Sequence, residues 1–139
     1  MEQELLQQHL LLEFQPKTSF TIISKGRVVS IGFAEITHVS KYGNDVVIYT
    51  ANEEYRTCHS LQEILNDLPV NEFLRVHRSH IVSLKWMQGV KRTRIVVGGY
   101  YIPISKYYQT QMIGRLGNIL DREFLFYDEI TSTAHGTNL

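Results

Sequence analysis

The sequence predicts a mostly β domain built of hairpins and interrupted by short helices. Eight Tyr and six Phe stand among many Val and Ile, the residue types that pack well on a pleated, half-buried surface. From Phe20 onward, short apolar runs are separated by Gly, Asn, Asp and Ser, the punctuation of hairpins. Helical spacing of apolar residues is confined to short stretches. A chain of 139 residues makes one domain. It buries roughly two-thirds of its unfolded surface, enough for a core without disulfides or metal. The expected layout is a helical extension at residues 1–18, a domain at 19–120 and a tail at 121–139.

Taken in order, residues 1–14 read as a short helix carrying Leu5, Leu6, Leu10 and Phe14, stopped by Pro16. This strip is either a frayed extension or a contact with the domain or with a second copy of the chain. Residues 20–23 and 28–31 flank Ser24-Lys25-Gly26-Arg27, a hairpin turn. A second hairpin joins residues 36–40 to 46–50 through Lys41-Tyr42-Gly43-Asn44-Asp45. A strand near residues 55–58 leads to Ser60-Leu61-Gln62-Glu63, a capping box in which the Ser60 hydroxyl and the Glu63 carboxylate each satisfy the other's backbone N–H. Leu61, Ile64, Leu65 and Leu68 then form one apolar stripe, and Pro69 ends the helix.

Strands follow at residues 73–76 and 81–84, then at 90–91 and 95–97 around Arg92-Thr93-Arg94. Gly98-Gly99 turns the chain into residues 100–104. Ser105 caps a last helix with Tyr108, Met112 and Leu116 on one face, weakened by Gly114 and ended near Gly117. The residues from about Thr131 are polar.

Charge is divided unevenly. Net charge is zero and the pI is near 7.0, yet residues 73–120 contain no Asp or Glu. That block holds eight bases, Arg75, Arg78, Lys85, Lys91, Arg92, Arg94, Lys106 and Arg115, and so carries +8. The rest of the chain, with six bases and 14 acids, carries −8. A block of this kind suits a polyanion such as nucleic acid, or forms a solvated face whose acid partners come from elsewhere in the fold.

Several chemistries fit poorly. Cys58 is the only cysteine, so no internal disulfide forms, consistent with a reducing compartment. The N-terminus lacks a secretory pattern, and no apolar run approaches the roughly 20 residues of a membrane span; a cytoplasmic, non-membrane protein is expected. His77 and His80 have no nearby Cys, Asp or Glu to complete a zinc site. The basic block supplies no carboxylate for a Mg²⁺-dependent nuclease. No metal, cofactor or enzymatic activity is expected.

Two clusters carry the positive reading. In Phe73-Leu74-Arg75-Val76-His77-Arg78-Ser79-His80-Ile81-Val82, a turn at Arg78-Ser79 would lift Arg78 into solvent, where its guanidinium can fork onto a guanine edge or a phosphate. In Ile102-Pro103-Ile104-Ser105-Lys106-Tyr107-Tyr108, Lys106 sits in the first helical turn against the helix dipole. That is either a tolerated surface lysine or part of an anion site in which helix N–H groups and Lys106 converge on a phosphate.

With these two segments, the Glu35-Ile36 strand entry and the Ser60-Leu61 helix start, residues 19–116 resemble the LytTR DNA-binding domain of bacterial transcriptional regulators. The resemblance implies small antiparallel sheets with short helices and no enzymatic activity. It also implies duplex binding by loops placed in successive major grooves. By position it assigns base contacts to Arg78, Lys106, Asn44 and Tyr42. Phosphate contacts are expected from Lys41, His77, Ser79, His80, Lys85, Arg92, Arg94, Ser105 and Tyr107. Two positions depart from the family's habit: Ser83 replaces a frequent Asn, and Lys106 replaces a frequent Arg that could fork onto a base as Lys cannot.

Only about 18 residues precede the domain, which suggests a stand-alone regulator without a receiver domain. The expected partner is duplex DNA at promoter repeats, bound by a homodimer if the N-terminal strip pairs. The rival reading is an interaction module whose basic face holds an acidic protein.

Overall fold

The computed structural model describes residues 2–4, 17–91 and 93–119. The expected N-terminal helix beyond residue 4, Arg92 and the tail lie outside the described residues.

Strands β1 (Ser19–Ser24) and β2 (Arg27–Gly32) form the first hairpin. Its turn residues Lys25 and Gly26 both have positive φ, 51° and 73°, as the turn type that follows the twist of a two-residue hairpin requires. A 3₁₀ turn leads into β3 (Ile36–Tyr42), which pairs with β4 (Asp45–Thr50). Those strands run further than the sequence suggests. Only Gly43 and Asn44 are left between them, with Gly43 at φ 60°. Next come β5 (Glu54–Thr57) and helix α1 (Leu61–Asp67). The Glu63 N–H donates to Ser60 Oγ at 3.1 Å, so the cap forms. The other half of the capping box does not, because the Glu63 carboxylate turns to His59 Nδ1 at 3.1 Å.

Strands β6 (Phe73–His77) and β7 (His80–Ser83) make the next hairpin, followed by a 3₁₀ turn at Leu84–Trp86. The last sheet contains β8 (Met87–Val90), β9 (Arg94–Val97) and β10 (Tyr100–Pro103). Helix α2 (Lys106–Ile119) continues through Gly114 and past Gly117, the expected stop. Gly costs about 1 kcal/mol in a helix relative to Ala but does not by itself end one.

All pairing is antiparallel. The central sheet has strand order β5-β4-β3-β7-β6 and separates two cores. On one face lie the β1–β2 hairpin and α1, enclosing Ile22, Ile31, Ile36, Val39, Ile64, Phe73 and Ile81. On the other lie β8–β10 and α2, enclosing Leu74, Val76, Val82, Ile95, Ile102 and Met112. Side chains alternate across a strand, so Phe73 enters one core and Leu74 the other. This double burial is why β6 and β7 read as apolar runs instead of clean alternation.

Candidate nucleic-acid interface

Strand register gathers the predicted site. Ser40 pairs with His80, and the Lys41 N–H donates to the Ser79 carbonyl at 2.8 Å. The β6–β7 turn at Arg78-Ser79 therefore lies beside the β3–β4 tip. A bulge leaves Val76 out of the β6–β7 register, and its carbonyl accepts from the Ser105 N–H at 3.0 Å. That bond fixes the start of α2 to the end of β6. The β8–β9 connection joins the group because the Ile104 N–H donates to the Thr93 carbonyl at 2.8 Å. One end of the molecule thus carries Lys41, Tyr42, Asn44, Arg78, Lys91, Arg94 and Lys106, all exposed.

The remaining candidates divide by environment. The Ser79 N–H donates to His77 Nδ1 at 3.0 Å, so a neutral His77 carries its proton on Nε2. His80 is partly buried, hydrogen-bonded to Ser40 Oγ at 2.7 Å, and lowered to a pKa of about 4 by burial and then by the His77 charge. A neutral ring facing the sheet adds no positive charge for a phosphate. Ser105 is partly buried, and its carbonyl closes the first turn of α2 by accepting from Tyr108 and Gln109. Tyr107 is exposed and packs edge-on against Tyr108. Arg94 also lies over the Tyr101 ring, 4.8 Å from its centroid, which limits its wandering without removing its charge. Lys85 falls in the 3₁₀ turn after β7, at the opposite end of the sheet, where Trp86 Nε1 donates to the Ala34 carbonyl at 2.8 Å. It does not share a surface with Arg78. Arg92 lies outside the described residues.

The charge division is also less clean than the sequence suggests. Asp45, an acid of the −8 portion, sits at the β3–β4 tip, where Arg56 of β5 approaches its carboxylate at 3.5 Å. Both groups are exposed, so the pair adds little stability, but it offsets an acid at a basic surface. Sequence reading missed it because only sheet register brings residues 45 and 56 together. Among the described residues, two bases of the +8 block donate hydrogen bonds to the protein itself. Arg115 donates to the Val70 carbonyl and ties α2 to the segment before β6. Arg75 binds the Arg78 turn. Its place two residues before His77 on the same strand face is the one sequence signal for that role.

Next to this end, His38 is 1% exposed, stacked on Tyr49 at 4.2 Å and hydrogen-bonded to Thr37 Oγ1 at 3.0 Å. Burial, then the His80 charge, lowers its pKa to about 4. Both rings are held neutral in the fold and protonate near pH 6.5 when unfolded. Their stabilising contribution is therefore complete above about pH 6.5 and is lost as pH falls toward 4. The loss should total on the order of 3 kcal/mol, mostly from fully buried His38, since His80 retains solvent contact. Urea unfolding at pH 7, 5.5 and 4.5 checks this, and His38→Gln should flatten the profile.

Among the described residues, no group of three His, Cys, Asp or Glu is placed to hold a metal ion, and no helix is long and apolar enough to cross a membrane. The LytTr DNA-binding domain profile matches residues 26–117. The structure superposes on the LytTr DNA-binding domain of a Bacillus cereus response regulator with a TM-score of 0.65 at 20% identity, covering 73% of this chain and 99% of that one. The transcriptional regulatory protein NatR of Bacillus subtilis is 35% identical over 54 residues, 39% of this chain and 23% of its own. The heme-containing CO-sensing transcriptional regulator RcoM 2 of Paraburkholderia xenovorans is 37% identical over 65 residues, 47% of this chain and 24% of its own. The matches thus span about a quarter of either regulator. The profile match extends through both segments singled out in the sequence, and the chain belongs to the LytTR family of DNA-binding domains.

Proposed function

We propose that this protein regulates transcription by binding a specific duplex sequence through the end that carries Arg78, Asn44, Tyr42 and Lys106. The supporting observation is the convergence of three short projections: the two-residue β3–β4 tip, the Arg78-Ser79 turn and the first turn of α2. A recognition helix is not needed. Tips of this size present a few side chains to a major groove while the sheet behind them stays rigid. In this reading Arg78 forks onto a guanine edge, and Asn44 and Tyr42 contact bases from the β3–β4 tip. Lys106 acts as a point charge at the N-terminal end of α2, where helix N–H groups favour an anion. Lys41, Lys91 and Arg94 supply charge to the phosphates, and His77 Nε2, Ser79, Ser105 and Tyr107 supply further hydrogen bonds. The proposal includes two copies on repeated half-sites.

Selection of bound duplexes from a random pool tests this reading. The expected product is one short motif, recovered as a repeat. Affinity for it should fall with salt because bound cations are released from DNA. About four phosphate contacts give a logarithmic slope of roughly −3.6, a loss on the order of 100-fold between 0.05 and 0.2 M salt. No retention of any duplex at low salt would reject DNA as the ligand of this surface and favour an acidic protein partner.

A further inference from the structure

We propose that Arg75 is a positioning residue for Arg78: its guanidinium holds the β6–β7 turn in the shape that presents Arg78 to DNA. This rests on the interface proposed above and adds a residue that reads no base itself. Arg75 Nε donates to the His77 carbonyl at 3.3 Å, and one terminal nitrogen donates to the Arg78 carbonyl at 2.6 Å. The other terminal nitrogen donates to Gln62 Oε1 on α1 at 3.2 Å. Thus one side chain grips two successive turn carbonyls and is itself held from a neighbouring helix.

Other bonds complete the frame. Ser79 N–H bonds to His77 Nδ1 at 3.0 Å, and the Ser79 carbonyl receives the Lys41 N–H at 2.8 Å. The turn is therefore braced on one side by β3 and on the other by Arg75. The Arg78 side chain, by contrast, is exposed and makes no hydrogen bond to any described residue.

The geometry asks for arginine in particular. Three acceptors in three directions match a planar fork with donors on each nitrogen. Lysine is a single point charge and can satisfy one or two of them. A two-residue turn has little buried surface to hold its shape, so without the clamp only the Lys41 and His77 bonds restrain it and Arg78 is less ordered before binding. Preorganisation of this kind alters affinity for the correct sequence without adding a contact to DNA. A phosphate grip behaves differently: it acts on all sequences alike and adds about one to the salt slope.

The test compares Arg75→Gln, Arg75→Lys, Gln62→Ala and Arg78→Ala, plus the Arg75→Gln/Arg78→Ala double variant, on the selected duplex and on random duplex across a salt series. Both Arg75 variants are expected to weaken selected-duplex binding by roughly 5- to 20-fold, with random-duplex affinity within about twofold and the salt slope unchanged. Gln62→Ala leaves the clamp in place but loose and should give a smaller, equally selective loss. In the Arg78→Ala background, Arg75→Gln should have no further effect. Equal loss on both duplexes with a shallower slope would make Arg75 a phosphate contact and overturn the proposal, as would unchanged binding to the selected duplex. If Arg78→Ala leaves sequence preference intact, the interface reading fails by itself. Amide exchange at Ser79 then decides for Arg75: faster exchange in Arg75→Gln retains the clamp, and unchanged exchange removes it.

Discussion

Arg78→Ala lowers affinity for the selected duplex by about 1–3 kcal/mol, roughly 5- to 150-fold, and relaxes preference at one base pair. The expectation follows from where the side chain stands. Its turn is pinned by Lys41, His77 and Arg75, so the residue is delivered without being engaged. Arginine offers two parallel donors to the O6 and N7 edge of guanine, and no other base pair presents that pair of acceptors in the same place. Arg78→Lys keeps the charge and loses the fork, so it should retain random-duplex affinity while losing much of the preference. Lys91→Ala provides the contrast. It should weaken selected and random duplexes alike and lower the salt slope by about one. Shift assays on both duplexes, at two salt concentrations, separate these outcomes. Unchanged affinity and preference in Arg78→Ala would mean that Arg78 reads no base.

Gly98→Ala destabilises the fold by about 3 kcal/mol, while Gly99→Ala, one residue on, costs about 1. Both glycines have positive φ, 55° and 85°, and each substitution bears the left-handed penalty of a Cβ. Only at residue 98 is there also a collision: an added Cβ would meet Thr37 Cγ2 at 2.9 Å, whereas at residue 99 nothing lies within 4 Å. Thr37 cannot swing aside cheaply, since its hydroxyl donates to the Tyr49 carbonyl at 3.2 Å and also meets His38 Nδ1 at 3.0 Å. The β9–β10 turn would have to lift from β3, loosening the second core. Midpoints of urea unfolding for the two variants give the difference directly. Equal midpoints would show that the turn relaxes away from Thr37 at no cost.

Most local features were legible because their causes are local. The Ser60 cap, the α1 stripe and the positive-φ turns at Lys25-Gly26 and Gly98-Gly99 each depend on a few adjacent residues. So does the break at Arg78-Ser79, forced between two segments that both need burial. Where reading stopped short, a competing bond or pairing usually decided. The β3–β4 connection shrank to Gly43-Asn44 because β4 pairs to the very end of β3. The Glu63 carboxylate left its expected capping role because His59 stood within reach. Helix α2 outran Gly117, and the expected N-terminal helix lies largely outside the described residues.

By itself the sequence determined a β-rich chain, its hairpins and α1, a basic block free of acids, and the two segments centred on Arg78 and Lys106. Tertiary structure alone decided which of those bases share a surface. Lys85 is carried toward the other end by the rise of β7 from His80 to Ser83, roughly 10 Å, and by the 3₁₀ turn that follows. Arg75 and Arg115 are drawn onto backbone carbonyls, while Asp45 and Arg56 enter the basic end together. The physical reason is register. Periodicity and turn preference are properties of neighbouring residues, but the pairing of Ser40 with His80 and the bond from Ser105 to Val76 are settled only when two cores close on both faces of one sheet.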